Sequence, residues 1–361
     1  MTQKKLKASI YKVLLSLTLL QLIVFTAYSA PAEEFSKKIK KEFEINSDAL
    51  LRLNSKYGKI DCKNWDKNII SIEVTIEVEA ANKEKADEIF EKINIDVKGT
   101  ESIVEATTVF NKSVFSLIKN KKSKLQVNYE IFFPKTISLD ILHKYGELFV
   151  ADVNGKVMLE LSYGTININE INANNNSLQI AYCKGSIGEF GGGDINIKYS
   201  TLHLDECLDA NINSKYSTLL IDEADYLIFD SGYDQIKIDE IKELNVKSQF
   251  SGFEIDELEK RLEIDIAYGS FGIDEVSADF EEITIKNSYA NVKLGVDEDA
   301  SYFLYAELKY GSLKFPENNE YLSKQIVSST SSIYEGRIGK DKNTTSKITI
   351  KSKHAKVSIG N

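Results

Sequence analysis

The residues whose types and spacing could do chemistry are carboxylates. Asp205-Glu206, Asp222-Glu223, Asp239-Glu240, Asp256-Glu257 and Asp274-Glu275 recur at near-constant steps, and Asn169-Glu170 opens the series. On stacked strands such pairs stand about 5 Å apart at the backbone. Two unit charges at that distance repel by about 1 kcal/mol in water and by roughly 3–4 kcal/mol at an effective dielectric near 20. Lysines of adjacent strands would neutralise them, or a hard divalent cation such as Ca²⁺ held by Asp205, Asp222, Asp239, Asp256 and Asp274. The Gly-rich nonapeptide of calcium-binding β-rolls is absent. The expectation is therefore a solvated acidic edge that keeps the protein soluble and discourages lateral pairing, with no metal and no cofactor.

Other chemistry finds little material. His143, His203 and His354 lie far apart, and none sits at a metal-ligand or nucleophile spacing. The arginines are Arg52, Arg261 and Arg337, with Arg261 alone inside the repeats. A polysaccharide lyase-like β-helix needs an acidic cluster beside Arg or Lys, so that enzyme is the alternative and a non-enzymatic protein the expectation. Cys62, Cys183 and Cys207 are too few and too scattered for a disulfide framework. Buried free thiols are expected, with a Cys183–Cys207 bridge as the other outcome in an oxidising compartment.

What would position the acids is a second period. Aromatics fall at Tyr145, Tyr163, Tyr182, Tyr199, Tyr216, Tyr233, Phe250, Tyr268, Tyr289 and Tyr310, again at near-constant steps. Apolar residues sit three and five places after each aromatic, and four and six places before the later ones. Alternation of period two makes each flank a short strand with one buried face. The change of parity across the aromatic requires a bend, which Gly146, Gly164, Gly269, Ser200 and Ser217 make easier as small residues. The repeat reads as strand, aromatic corner, strand, Asp-Glu corner. Stacked, such units form a parallel β-helix or β-solenoid with coils of about 17–21 residues. A right hand is expected, because no hexapeptide period is sustained. Tyr199, Tyr216 and Tyr233 are the candidate binding aromatics, since a stacked strip can meet glycan rings or apolar protein surface. A packed column with its hydroxyls at solvent is the plainer outcome. Trp65, the only tryptophan, reads as a packing residue.

Outside the repeats the pattern changes. Lys4, Lys5, Lys7 and Lys12 precede an apolar run from Val13 to Phe25 and small residues at Ala30 and Ala32, the pattern of a secretory signal peptide over 1–32. Export to the periplasm, cell surface or medium follows, with no membrane span left after cleavage. Residues 33–138 form a strand-rich module or cap: a strand near Ile69–Val78, a helix over Lys83–Ile93 capped by Asn82, and strands Ser102–Val109 and Leu125–Phe133 joined as a hairpin. Lys56-Tyr-Gly-Lys-Ile in this region is an isolated early copy of the aromatic corner. The repeats occupy 139–316, and closing strands are expected within 317–361. The net charge of −10 excludes the basic stripe that nucleic acid requires.

The segment Leu51-Arg-Leu-Asn-Ser-Lys-Tyr-Gly-Lys-Ile-Asp-Cys-Lys-Asn-Trp-Asp, followed by an Ile/Val strand and a short helix, resembles the exported β-strand-repeat proteins called "putative adhesins", frequent in Bacteroidota. The resemblance covers most of the chain beyond the leader and rests on structural corners. It implies a β-solenoid at the cell envelope, adhesin-like or structural, with an envelope glycan or protein as partner and no catalytic residues.

Overall fold

The protein, in a computed structural model, is described over residues 33–112, 114, 124–315 and 322–360. The leader-like segment 1–32, most of the polar stretch 111–124 and Pro316 lie outside the described residues. The fold is all-β: among the described residues, 23 strands join in one long, unclosed and mostly parallel sheet. One helix accompanies them, Lys83–Phe90, where the Asn82 side chain accepts the Lys85 amide at 3.0 Å and Ala86, Ile89 and Phe90 are buried. Its N-cap and apolar spacing are those the sequence predicts, but the helix ends at Phe90 instead of Ile93, which begins the strand Ile93–Gly99.

Successive repeats lie in parallel register, an arrangement compatible with a β-solenoid. Thr201 pairs with Thr218 and Thr218 with Gln235, while the longer repeat that follows brings Arg261 opposite Glu282. Within the strand Thr218–Gly232, Leu219, Ile221, Ala224, Leu227, Phe229 and Ser231 face the interior. Alternation breaks at Asp222-Glu223 and again at Asp225-Tyr226. The repeat therefore has a third outward step besides the aromatic and Asp-Glu corners. Leu208-Asp209, Asp225-Tyr226 and Lys242-Glu243 occupy it, and their dissimilarity hides it in the sequence.

At the N-terminal end, Leu50–Asn64 carries Tyr57 at its centre and pairs in parallel with Ser138–Val150. The early aromatic corner is thus part of the stack. Ile103–Phe110 and Leu125–Phe133 do not form the expected hairpin. The corner at Tyr57 divides its strand into two edges; the first takes Ile103–Phe110 and the second takes Leu125–Phe133. Each then finds its antiparallel partner elsewhere, in Ile93–Gly99 and Ile69–Ala80. Glu33–Glu44 covers the outer side of Ile69–Ala80 and bears Lys37, Lys38, Lys40 and Lys41, charges that discourage a further strand from adding.

The C-terminal end departs further from expectation. Lys347–Lys353 runs parallel to both Glu282–Ser288 and Tyr302–Lys309, and so lies between them. Lys356–Ile359 likewise separates Asn291–Val296 from Ser312–Lys314. The last strands of the sequence are internal in space. They fit because Ile348, Ile350, Val357 and Ile359 continue the buried apolar rows. The outer edge of Tyr302–Lys309 is covered instead by the antiparallel strands Ser331–Ile338 and Leu322–Ser328.

Deleting residues 347–361 should strip partners from strands on both sides. Hydrogen exchange should show protection falling by at least about tenfold, or ~1.4 kcal/mol, over 282–296 and 302–314, with 201–249 unaffected. Unchanged protection of 302–314 would refute the intercalation.

Candidate functional site

The aromatic corner has an unusual backbone. Among the described residues, twelve non-glycine residues have positive φ, between 51° and 62°: Tyr57, the ten periodic aromatics from Tyr145 to Tyr310, and His354. A bulky L-residue there costs about 1–2 kcal/mol. All twelve rings form one column, with neighbouring centroids 4.6–5.2 Å apart and planes within 11° of parallel. Each stacked pair contributes about 0.5–1.5 kcal/mol beyond its buried area, which offsets part of the strain.

Hydrogen bonds carry the stack through the bend. The amides of Tyr199, Tyr216 and Tyr233 donate to the carbonyls of Lys215, Gly232 and Gln249 at 3.0–3.1 Å. The amide after each rung finds a side chain of the next repeat: Cys183 donates to Ser200 Oγ, Ser200 to Ser217 Oγ, Ser217 to Asp234 Oδ1 and Asp234 to Ser251 Oγ, at 2.7–3.3 Å. The corner serines are thus acceptors as well as small residues. Asp234 is fully buried, and its other oxygen accepts from Ser231 Oγ at 2.8 Å and the Gly232 amide at 2.9 Å. At the first corners the backbones close up instead. A Cβ on Gly146 would stand 1.8 Å from the Gly58 carbonyl oxygen, and one on Gly164 would stand 1.9 Å from that of Gly146.

His354 stacks between Tyr289 and Tyr310, at 4.6 and 4.7 Å. Its aromatic type hides its place, but the template shows it: Ile348 and Ile350 fall six and four places before, Val357 and Ile359 three and five after. Tyr199 and Tyr216 are 49% exposed and Tyr233 53%. Both faces of each ring are covered by its neighbours, so what meets solvent is the ring edge with its phenol. The candidate binding aromatics form a row of edges, and no ring face is open as a platform for a sugar. Trp65 packs on Phe132 at 5.5 Å, with its indole N–H donated to Ile69 O at 2.8 Å.

The acidic edge is longer than its sequence signature. Glu170, Glu189, Glu206, Glu223, Glu240, Glu257 and Glu275 pair in unbroken register. Glu189 escaped notice because Gly188, not an acid, precedes it. The Glu170 carboxylate beside it, then desolvation and Glu206, hold the Glu189 carboxyl above its ordinary range. The aspartates have cations. Lys237 Nζ reaches Asp239 at 2.5 Å and Asp256 at 3.0 Å, and Lys293 reaches Asp274 at 3.2 Å. His203, at the repeat position of Lys237, sets Nε2 2.7 Å from Asp222 and Nδ1 3.7 Å from Asp205. Stacking thus brings together a group that sequence spacing did not reveal: His203, Asp205 and Asp222 offer ligand atoms within 4.8 Å of one another. They repeat the geometry of the Lys237 site with imidazole in place of ammonium, so the His203–Asp222 hydrogen bond accounts for them.

Cys62, Cys183 and Cys207 are free and buried, with no Cys183–Cys207 bridge. Burial raises all three thiols, Cys207 to about 12, which keeps them protonated and poor nucleophiles. His143 is buried and its basicity lowered by desolvation. The Arg261 guanidinium is held by Glu281, with Nε 2.7 Å from the carboxylate. No described helix is long and apolar enough to cross a membrane.

No family model and no curated protein matches the chain. Solved structures similar to it include a "putative cell adhesion protein" from Clostridium sporogenes, at 13% identity and TM-score 0.17 over 90% of this chain and 99% of that one. Two structures named "putative adhesin" match as well. That from Bacteroides fragilis has 11% identity and TM-score 0.25, and that from Parabacteroides merdae 9% and 0.27; each match covers 90% of this chain and 97% of the other. The neighbours thus bear the name of the group that the Leu51–Asp66 segment resembles.

Two measurements probe these edges. Tyr216→Ala keeps the left-handed strain and loses both stacked neighbours, whereas Tyr216→Gly loses the neighbours and relieves the strain. Denaturant unfolding should find the alanine variant less stable than the glycine variant by about 1 kcal/mol. Equal stability would mean that the corner is unstrained.

The second measurement is a pH series at low salt. The raised carboxyl of Glu189 adds stability below the ordinary glutamate range and loses it as pH rises through its folded value. Glu73 and Asp279, lowered by Lys38 and Lys260, act oppositely and lose stability as pH falls through their folded values. His143, whose basicity burial lowers, loses stability as pH falls through the ordinary histidine range, so the Glu189 effect is read by difference. Relative to Glu189→Gln, the wild-type melting temperature should rise as pH falls from 7 to about 5, and both proteins should lose stability below about 4. A difference between the two proteins that stays constant from pH 7 to about 5 would exclude repulsion along the glutamate row.

Proposed function

We propose that the protein is a non-enzymatic binding rod of the cell envelope, adhesin-like in role, that engages an envelope glycan or a partner protein along its aromatic edge. The architecture is a right-handed parallel β-solenoid whose repeats run from the Tyr57 corner through 139–316 and take in 347–359, with the rest of 33–138 as a cap at one end and the hairpin Leu322–Ile338 at the other. Its coils take about 17–21 residues each. Parallel register from one repeat to the next supports the coil, and the absence of a hexapeptide period supports the hand. The basic, apolar and small-residue succession of segment 1–32 supports export.

The observation that carries the reading is the half-exposed column itself. Its eleven steps of 4.6–5.2 Å set a continuous strip on the order of 50 Å long on the surface. Aromatics that served packing alone would gain by deeper burial. An active site finds less support, because Arg261 is the single arginine in the repeats and is already paired with Glu281.

A glycan array and pull-down with the purified protein, beside two triple variants, tests this. Tyr199→Phe/Tyr216→Phe/Tyr233→Phe should fold as the parent does, since Phe250 already occupies such a rung. Tyr199→Gly/Tyr216→Gly/Tyr233→Gly keeps the corner conformation and should lose at least about tenfold in affinity. Wild-type protein that binds neither glycan nor protein would leave only a structural spacer.

A further inference from the structure

We infer that the aromatic edge is an anion-binding track whose ligand is an acidic polysaccharide, an extended chain carrying carboxylate or sulfate groups. The inference rests on the binding-rod reading and assigns its ligand class.

The first ground is what the rings leave open. A sugar ring binds an aromatic through the face, and the faces in this column are taken by neighbouring rungs. The exposed edge is the positive end of the ring quadrupole, and the phenol at its tip donates a hydrogen bond. A row of such edges favours a negatively charged partner over a neutral sugar.

The second ground is the row of residues immediately before the rungs. Lys56 pairs in register with Lys144, Lys198 with Lys215, and Lys309 with Lys353. Like charges placed directly opposite on neighbouring strands destabilise a sheet. Lys144 and Lys309 are relieved by Glu160 and Glu307, at 2.9 and 3.2 Å. Lys56, Lys198, Lys215 and Lys353 have no ion pair among the described residues. This is unexpected in a chain of net charge −10, whose acidic edge pairs its own cations closely. Uncompensated ammonium groups thus stand beside four of the twelve rungs, two of them adjacent at Lys198 and Lys215, where an anionic ligand would neutralise them.

Shape completes the assignment. The track is continuous and repeats about every 5 Å, which suits a linear polymer better than a compact ion. The aspartate–glutamate corner repels the same polymer, so binding is confined to one side of the rod. Net negative charge also disfavours nucleic acid, whose charge density is far higher.

The test measures binding of the purified protein to polygalacturonate, dextran sulfate, uncharged dextran and duplex DNA, at about 50 and 300 mM salt. Both acidic polysaccharides should bind and dextran should not, with affinity falling at least about tenfold at the higher salt. Lys198→Gln/Lys215→Gln should weaken binding about tenfold without lowering the melting temperature, since it removes a like-charged pair. Dextran bound as tightly as the acidic polymers would overturn the charge assignment and leave the binding-rod reading standing. DNA bound more tightly than either acidic polymer, or affinity unmoved by the lysine variant, would overturn the assignment as well. Failure of every probe, together with a blank glycan array and pull-down, would remove both.

Discussion

The left-handed bend at each aromatic is the constraint on which the rest of the structure depends. One such residue alone would be strained by about 1–2 kcal/mol, and a ring in water would do nothing to relieve it. The strain is offset when the bend recurs at the same height in the next repeat, so that rings stack and the rung amide meets the following repeat's carbonyl. No repeat is therefore stable by itself, and each is a condition for its neighbour. This explains why the chain tolerates a longer step from Tyr268 to Tyr289 than from Tyr216 to Tyr233, while φ stays between 51° and 62° at all twelve rungs. Insertions go into the loops between corners, where nothing has to superpose.

The same stacking distributes charge. Parallel register places like upon like, so any acidic or basic position repeated in the sequence becomes a row in space. At the Asp-Glu corner Lys237 reaches Asp239 in its own repeat and Asp256 in the next, Lys293 reaches back to Asp274, and His203 hydrogen-bonds Asp222 of the next repeat. The glutamates lack that arrangement and splay into solvent. Beside the aromatic column lysine precedes six of the twelve rungs, and four of those charges have no ion pair among the described residues. Two edges of opposite character follow from one register.

Much of this was legible in the sequence, for a physical reason. Aromatic spacing, apolar parity and the Asp-Glu pairs are local properties of a repeat, and stacking multiplies them without altering them. What escaped was the part carried by position alone. Asp225-Tyr226 and Lys242-Glu243 turn the chain outward without sharing a residue type. Glu189 follows Gly188, and His354 takes a tyrosine's place. Ser200, Ser217, Asp234 and Ser251 look like small or polar corner residues, yet each accepts an amide from the preceding repeat. Such partners lie a full repeat away and are visible only once the register is known.

The pairing order at the ends is illegible for a deeper reason. Every repeat presents the same apolar rows and the same free strand edge, so sequence pattern alone lets Lys347–Ile359 dock on any of them. Specific hydrogen bonds single out its place: Ser346 Oγ donates to Phe280 O at 2.6 Å, and the Lys356 amide to Asn291 Oδ1 at 3.1 Å. The Tyr289 amide donates to Lys353 O and the His354 amide to Lys309 O, at 3.0 and 2.9 Å. The hairpin Leu322–Ile338 meanwhile occupies the far side of Tyr302–Lys309 and denies that edge to the chain end. With the outer edge taken, the last repeat completes the stack from within, bonded on both sides. A stack that adds repeats in sequence order would leave its newest strand exposed; this one encloses it.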